Sequence, residues 1–174
     1  MNTCKRAVFI AVYCALLIGG QLALSLVVGV EVVTVLSVCF CFYFGIVSGI
    51  ITMTLFSLLR CLIFGFFPTV IILYLVYYNL LAVVYGLMGR FFKREIKRWW
   101  QALIFVAVAC AMTVLFTLLD DVITPLYMGM SEKATYAYFY SSLPIMGMQT
   151  LSVSFTVSFL FVPILKSFKL VRIR

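Results

Sequence analysis

Histidine is missing from this sequence of 174 residues, and Asp and Glu together number only five. Without histidine there is no HExxH zinc motif and no Ser-His-Asp arrangement, and so few acids leave no paired carboxylates inside the hydrophobic segments. The six cysteines have no metal-ligand spacing, and the GxxxxGK[S/T] phosphate loop is also missing. We therefore expect no enzyme activity, no metal and no cofactor, and any ATP must be hydrolysed by another chain.

Charged residues of either sign are scarce as well, at 10% of the chain, whereas soluble domains contain about 25%. Hydrophobic residues make up 66%, and charge-free runs cover residues 7–30, 32–59, 61–89, 99–119 and 134–165. Each run is long enough for the roughly 20 residues that a spanning helix needs. The sequence thus predicts an all-α protein of the lipid bilayer, and its net charge of +8 does not indicate nucleic-acid binding.

The basic residues fall into three clusters at segment ends: Lys5 with Arg6, residues 90–98, and residues 166–174. By the positive-inside rule all three lie in the cytoplasm, so the chain crosses the membrane an even number of times between Arg6 and Arg90. The first segment crosses once, and residues 32–89 are long enough for three crossings. With two more after Arg98, residues 1–174 form a single domain of six transmembrane helices with both termini cytoplasmic.

The first hydrophobic segment carries small residues at an unbroken four-residue spacing: Ala7, Ala11, Ala15, Gly19 and Ala23. In a helix these positions form one ridge, and small residues let a second helix backbone approach closely inside a bilayer. The ridge is either a docking surface for a partner helix or part of the packing within the chain's own bundle. Spacing alone leaves both interpretations open.

Polar residues inside a bilayer are costly, so they are the best indicators of a site. Arg60 lies eleven residues beyond Gly49, or about 16 Å along a helix, which takes it past the midplane toward the outer surface. It either snorkels to the interface or pairs with Glu31, or it binds a carboxylate or phosphate of a substrate. Asn79 in the fourth span either joins helices by hydrogen bonds or contacts substrate.

Residues 120–142 hold three of the five acids and are predicted to be the one long external connection, with Pro144 opening the sixth helix. Polar stripes on the fifth and sixth helices lead toward it and predict an aromatic, hydrogen-bonding pocket at the outer face. The predicted substrate-binding residues are Glu31, Arg60, Asn79, Thr117, Asp120, Asp121, Tyr127 and Gln149.

Several motifs together resemble one family, the substrate-binding S components of energy-coupling factor (ECF) vitamin transporters. They are the run of Ala7, Ala11 and Ala15, the turn Phe44-Gly45-x-x-x-Gly49, the corner Gly65-Phe66-Phe67-Pro68, and Gly86 and Gly89 before the basic loop. The resemblance implies a six-helix subunit of a bacterial plasma-membrane importer that captures a vitamin at the outer face. It also implies that the alanine run meets a transmembrane T subunit, and that two cytoplasmic ATPases complete the complex.

A second interpretation belongs to another class of protein. Six-helix scaffolds such as the cell-elongation protein that resembles S components bind protein partners and no small molecule. A small molecule that copurifies with the chain separates the two interpretations.

Overall fold

The computed structural model describes residues 3–24, 32–96 and 98–173. In these ranges the chain forms six α-helices and no strand. They are α1 (Thr3–Leu24), α2 (Val32–Phe44), α3 (Ile46–Phe64), α4 (Pro68–Phe91), α5 (Trp99–Met128) and α6 (Glu132–Ile173). The predicted all-α class is confirmed.

Five of the helices are long and apolar enough to cross a membrane, and α2 is the exception. With 13 residues it is about 20 Å long, short of the roughly 30 Å hydrocarbon core. Nine of those 13 residues are buried, and α2 packs against α1, α3, α4 and α6. The helix is therefore the centre of the bundle, and its neighbours shield its backbone from lipid.

Aromatic contacts show that α1 runs antiparallel to α2 and α6. Phe9 near the start of α1 lies 4.9 Å from Phe44 at the end of α2, measured between ring centroids, and Phe44 lies 5.3 Å from Phe168 near the end of α6. Lys169 Nζ donates to Glu95 Oε1 at 2.8 Å, which ties α6 to the segment after α4. One end of the bundle, the basic end, thus carries Lys5, Arg6, Arg90, Lys93, Arg94, Arg98, Lys166 and Lys169. An even number of crossings between Arg6 and Arg90 requires the basic clusters to lie at one end.

The turn between α2 and α3 is packed tightly against α4 through glycine. Gly45 has φ +85°, a conformation that suits glycine, and it forms the predicted turn between Phe44 and Ile46. A Cβ on Gly86 would lie 2.7 Å from the backbone nitrogen of Ile46, and a Cβ on Gly89 would overlap the carbonyl oxygen of Phe42. The glycines of α4 therefore let its backbone touch this turn directly.

The predicted external connection over residues 120–142 is wrong in conformation. Helix α5 continues to Met128, Gly129 ends it in the left-handed region at φ 60°, and α6 begins at Glu132. Pro144 lies inside α6 and does not open it, whereas Pro68 opens α4 as predicted. At about 45 and 63 Å, α5 and α6 exceed a bilayer core, so a helical hairpin extends beyond the other helices.

The hairpin forms because its polar side chains bond within and between the two helices. Thr124 donates to Asp120 one turn earlier on α5, and Tyr138 and Ser142 of α6 donate to Asp120 and Asp121. Each internal proline removes an amide hydrogen bond and crowds the carbonyl four residues earlier, yet both helices continue through their prolines.

Candidate functional site

The five small residues of α1, named here the α1 ridge, all face away from the bundle. Ala7, Ala11, Ala15, Gly19 and Ala23 are exposed, and a Cβ on Gly19 would meet no described heavy atom within 4 Å. The opposite face of α1, with Tyr13 and Leu17 among others, is buried against the rest of the chain. The interpretation of the ridge as packing within the chain's own bundle is therefore wrong for the described part of the protein.

Arg60 stands at the other end of the bundle from the basic clusters, which we call the distal end. In the next-to-last turn of α3, its guanidinium carbon lies 3.9 Å from the ring centroid of Tyr74 on α4 and 5.3 Å from that of Phe64. The side chain is only partly buried, yet its Nε is fully covered and has no hydrogen-bond partner within the described ranges. Two aromatic rings thus hold the cation in place, and part of its donor capacity is unused.

Gln21 of α1 adds an amide to the same place. Its Nε2 donates to the Tyr74 hydroxyl at 3.4 Å, while its Oε1 is buried and finds no partner among the residues that the structure describes. The Tyr74 ring meets Phe116 of α5 edge-on at 5.7 Å. We call Gln21, Arg60, Tyr74 and Phe116 the Arg60 cluster; it joins four helices. Sequence reasoning missed Gln21, although a polar amide in a hydrophobic span is itself a signal.

The two adjacent carboxylates of α5 have different surroundings. Both oxygens of Asp120 accept hydrogen bonds, Oδ1 from Thr124 at 2.7 Å and Oδ2 from Tyr138 at 2.9 Å. Asp121 accepts only from Ser142 through Oδ2, and its Oδ1 is buried without a partner in the described chain. The Thr117 hydroxyl oxygen, one turn earlier on the same face, is also buried without a partner in the described chain. Asp120 therefore joins α5 to α6 through Oδ2, and Asp121 does so through its Oδ2.

Three other predicted site residues, Asn79, Tyr127 and Gln149, do not lie beside the polar groups of the distal end. Asn79 accepts from Thr54 at 3.0 Å and donates to the Leu75 carbonyl at 2.8 Å, so it joins α3 to α4 as one of the two interpretations predicted. Tyr127 is 58% exposed on the projecting part of α5. Gln149 is half-buried on α6, and Glu31 lies outside the described residues.

The register of α5 on α6 explains the position of Gln149. Cys110 Sγ lies 3.9 Å from the Thr150 carbonyl, and Ser142 bonds Asp121, so residue numbers fall along α6 as they rise along the antiparallel α5. Gln149 is therefore level with Thr113, about 12 Å deeper than Asp121. The polar stripe predicted on the sixth helix does not converge with Asp121.

Four buried polar atoms of the distal end lack partners in the described ranges: Gln21 Oε1, Arg60 Nε, Thr117 Oγ1 and Asp121 Oδ1. A fifth such atom, Ser37 Oγ, lies in the middle of α2. Most buried polar atoms in proteins are hydrogen-bonded, and each unsatisfied one costs about 1–3 kcal/mol. Four of the five described atoms of this kind lie at the distal end.

Comparisons with known proteins add no assignment to this geometry. No protein-family model matches the chain, and no curated protein or solved structure matches it either. Function is therefore argued from the site itself.

The site combines charged, polar and aromatic groups. Within the described residues no group of three or more His, Cys, Asp and Glu side chains can hold a metal ion. The distal end contains a cation at Arg60, polar side chains at Gln21, Thr117 and Asp121, and the ring of Tyr74. A ligand with polar groups and a flat ring would use donors, acceptors and aromatic surface together.

Proposed function

We propose that this chain is the substrate-binding S component of an ECF importer for a vitamin or a related micronutrient. The observation that carries the proposal is the set of four unpartnered, buried polar atoms at the distal end of the described bundle. Each such atom lowers the stability of the chain unless another molecule bonds it, and an arginine beside amide and carboxylate acceptors suits a small polar compound. A transport subunit recovers that free energy when substrate binds.

The basic end gives the orientation of the proposed subunit. Lys and Arg accumulate on the cytoplasmic side of membrane proteins, and Trp99 and Trp100 stand beside this end, as aromatic residues at a membrane interface do. In a bacterial plasma membrane the distal end, with Arg60 and Asp121, then faces outward. The substrate is captured there and released inward when the complete importer turns over.

The α1 ridge is the proposed contact with the T subunit. Apolar burial does not drive helices together in lipid, so close approach over small residues is a main source of affinity. The ridge consists of exposed alanine and glycine residues and provides such an approach. The larger side chains of Val8, Val12 and Leu16 are exposed beside it. Two cytoplasmic ATPases would then supply the energy through the T subunit.

The test is to identify small molecules that are released when the purified protein is unfolded. The chain is expressed in bacteria grown in rich medium, purified in mild detergent and denatured, and the supernatant is analysed by liquid chromatography and mass spectrometry. The proposal expects one compound in near-stoichiometric amount that a six-helix control membrane protein does not release. Copurification of protein partners with no such compound would favour the scaffold function.

A further inference from the structure

Arg60 is a cation without a described counterion. Within residues 3–24, 32–96 and 98–173 the ion pair that the structure shows is Lys169 with Glu95, at the basic end. A guanidinium carries five N–H donors in one plane. Here the guanidinium carbon lies 3.9 Å from the Tyr74 ring centroid, and Nε is the one guanidinium nitrogen that is buried without a described partner, so the outer N–H groups can reach a ligand.

The head of Arg60 is partly covered by aromatic rings, and the side chain as a whole is only partly buried. A snorkelling arginine buries its aliphatic stem and extends its head into water. In Arg60 the Nε is buried without a described partner, and the guanidinium carbon is close to two rings, those of Tyr74 and Phe64. The geometry preorganises the donors at the distal end.

The neighbouring acceptor, Gln21 Oε1, further limits the chemical class of the ligand. Gln21 is fixed by its bond to the Tyr74 hydroxyl, and its Oε1 is buried and unpartnered in the described chain. An acceptor next to a cationic donor fits a group in which an anion stands beside an N–H or O–H. Arginine recognises carboxylate and phosphate in particular, because both can take two of its N–H groups at once.

We propose that the Arg60 cluster binds a carboxylate or phosphate of the transported compound, with a hydrogen-bond donor of the same compound on Gln21. This inference rests on the proposed function, since it names the chemical class of that substrate. A phospholipid headgroup carries the same phosphate chemistry, so a test must compare free anions with lipid.

The experiment measures thermal unfolding of the full-length protein in detergent with four separate probes. Benzoate and benzamide have nearly the same shape and differ in charge, inorganic phosphate tests a second anion, and dioctanoyl phosphatidylglycerol supplies a lipid headgroup. The variants are Arg60→Gln, Arg60→Lys and the control Arg90→Gln, which removes an exposed arginine at the basic end. Affinity is obtained from the dependence of the unfolding temperature on probe concentration.

We expect benzoate or phosphate to stabilise the wild type, and benzamide to have little effect. Arg60→Gln should weaken the anion about ten- to a hundredfold, as loss of one charged hydrogen-bond contact does, whereas Arg90→Gln should bind like the wild type. Arg60→Lys keeps the charge and loses the planar fork, so it should bind more weakly than the wild type. This variant serves as the test if Arg60→Gln does not fold.

Equal stabilisation of the wild type and both Arg60 variants by every anion would overturn the inference. Stabilisation that depends on Arg60 and occurs only with the phospholipid would also overturn it, because the anion would then be lipid and not cargo. A neutral copurified compound, retained equally by wild type and Arg60→Gln, would sink this inference and leave the proposed function intact. Arg60-dependent binding of free anions by a protein that never releases a compound would support this inference and count against the proposed function.

Discussion

Ser142 on α6 donates to one oxygen of Asp121 on α5 at 2.7 Å, and the other oxygen of that carboxylate is buried with no partner in the described chain. Asp120, one residue earlier, has both of its oxygens occupied. Two neighbouring acids at the distal end therefore have separate roles. Asp120 has both oxygens bonded within the helical hairpin, whereas Asp121 has one bonded and one without a partner in the described chain.

Substitution of each acid by asparagine should separate these roles. Asp120→Asn replaces an acceptor of two hydrogen bonds with a group that accepts at one atom only, so unfolding should become easier by about 1.5–3 kcal/mol. Asp121→Asn should keep most of the stability and weaken binding of the copurified compound about tenfold or more. Thermal unfolding and ligand titration of both variants check this, and the same profile in both would remove the distinction.

The α1 ridge predicts a defect in assembly and not in folding. Ala11→Leu combined with Ala15→Leu adds apolar side chains to an exposed surface, so insertion, folding and ligand binding should survive. The bulk should hold a T-subunit helix away and abolish uptake. Copurification of the T subunit and a cellular uptake assay measure the two effects.

A matched control exists on α5, where Ala107 and Ala111 are exposed at the same four-residue spacing. Ala107→Leu with Ala111→Leu should leave assembly and uptake unchanged. Normal assembly by the α1 double variant would refute docking at the ridge, and loss of ligand binding by it would assign the ridge to folding.

Close packing of α4 on the turn after α2 predicts different costs for two glycines. A Cβ on Gly89 would overlap the Phe42 carbonyl oxygen, and backbone cannot rotate away as a side chain can, so Gly89→Ala should destabilise the protein by about 1–3 kcal/mol or more. Gly147 in α6 has no described heavy atom within 4 Å of its Cβ position. Gly147→Ala should therefore be neutral or stabilising by about 0.5–1 kcal/mol. Unfolding temperatures in detergent compare the two, and equal effects would contradict the contact.

The orientation of the bundle can be tested by cysteine labelling after the six native cysteines are replaced. Lys133→Cys, on the exposed start of α6, should react with an impermeant maleimide added outside intact cells. Lys93→Cys, exposed at the basic end, should react only after permeabilisation. The reverse pattern would invert the topology.

Charge and glycine patterns predicted much of this fold, because their causes are local. Basic residues collect on one side of a membrane, so their positions implied alternating helices that bring three clusters together, as the bundle's basic end does. Gly45 was read correctly as a turn and Pro68 as a helix start, since each depends on its own backbone conformation.

The site was less predictable because it depends on helix rotation and on partners distant in sequence. Asp120 and Asp121 are alike in sequence, but one residue is about 100° of helix rotation, and this decides which of them bonds Tyr138 and which keeps a free oxygen. The same polar residues predicted a loop, because the sequence of α5 does not show that their hydrogen-bond partners lie on α6. Gln21 was missed since its importance comes from Tyr74, 53 positions away.

Native mass spectrometry of the intact protein tests the central claim, that the distal end binds a small molecule, most directly. The wild type, released from detergent, should carry the added mass of one small molecule per chain. A variant with Thr117→Val and Asp121→Asn, which removes two of the unpartnered acceptors, should show the bare chain under the same conditions while it unfolds at a similar temperature. If the wild type carries no added mass, or the folded variant retains the same added mass, the distal end is not the binding site.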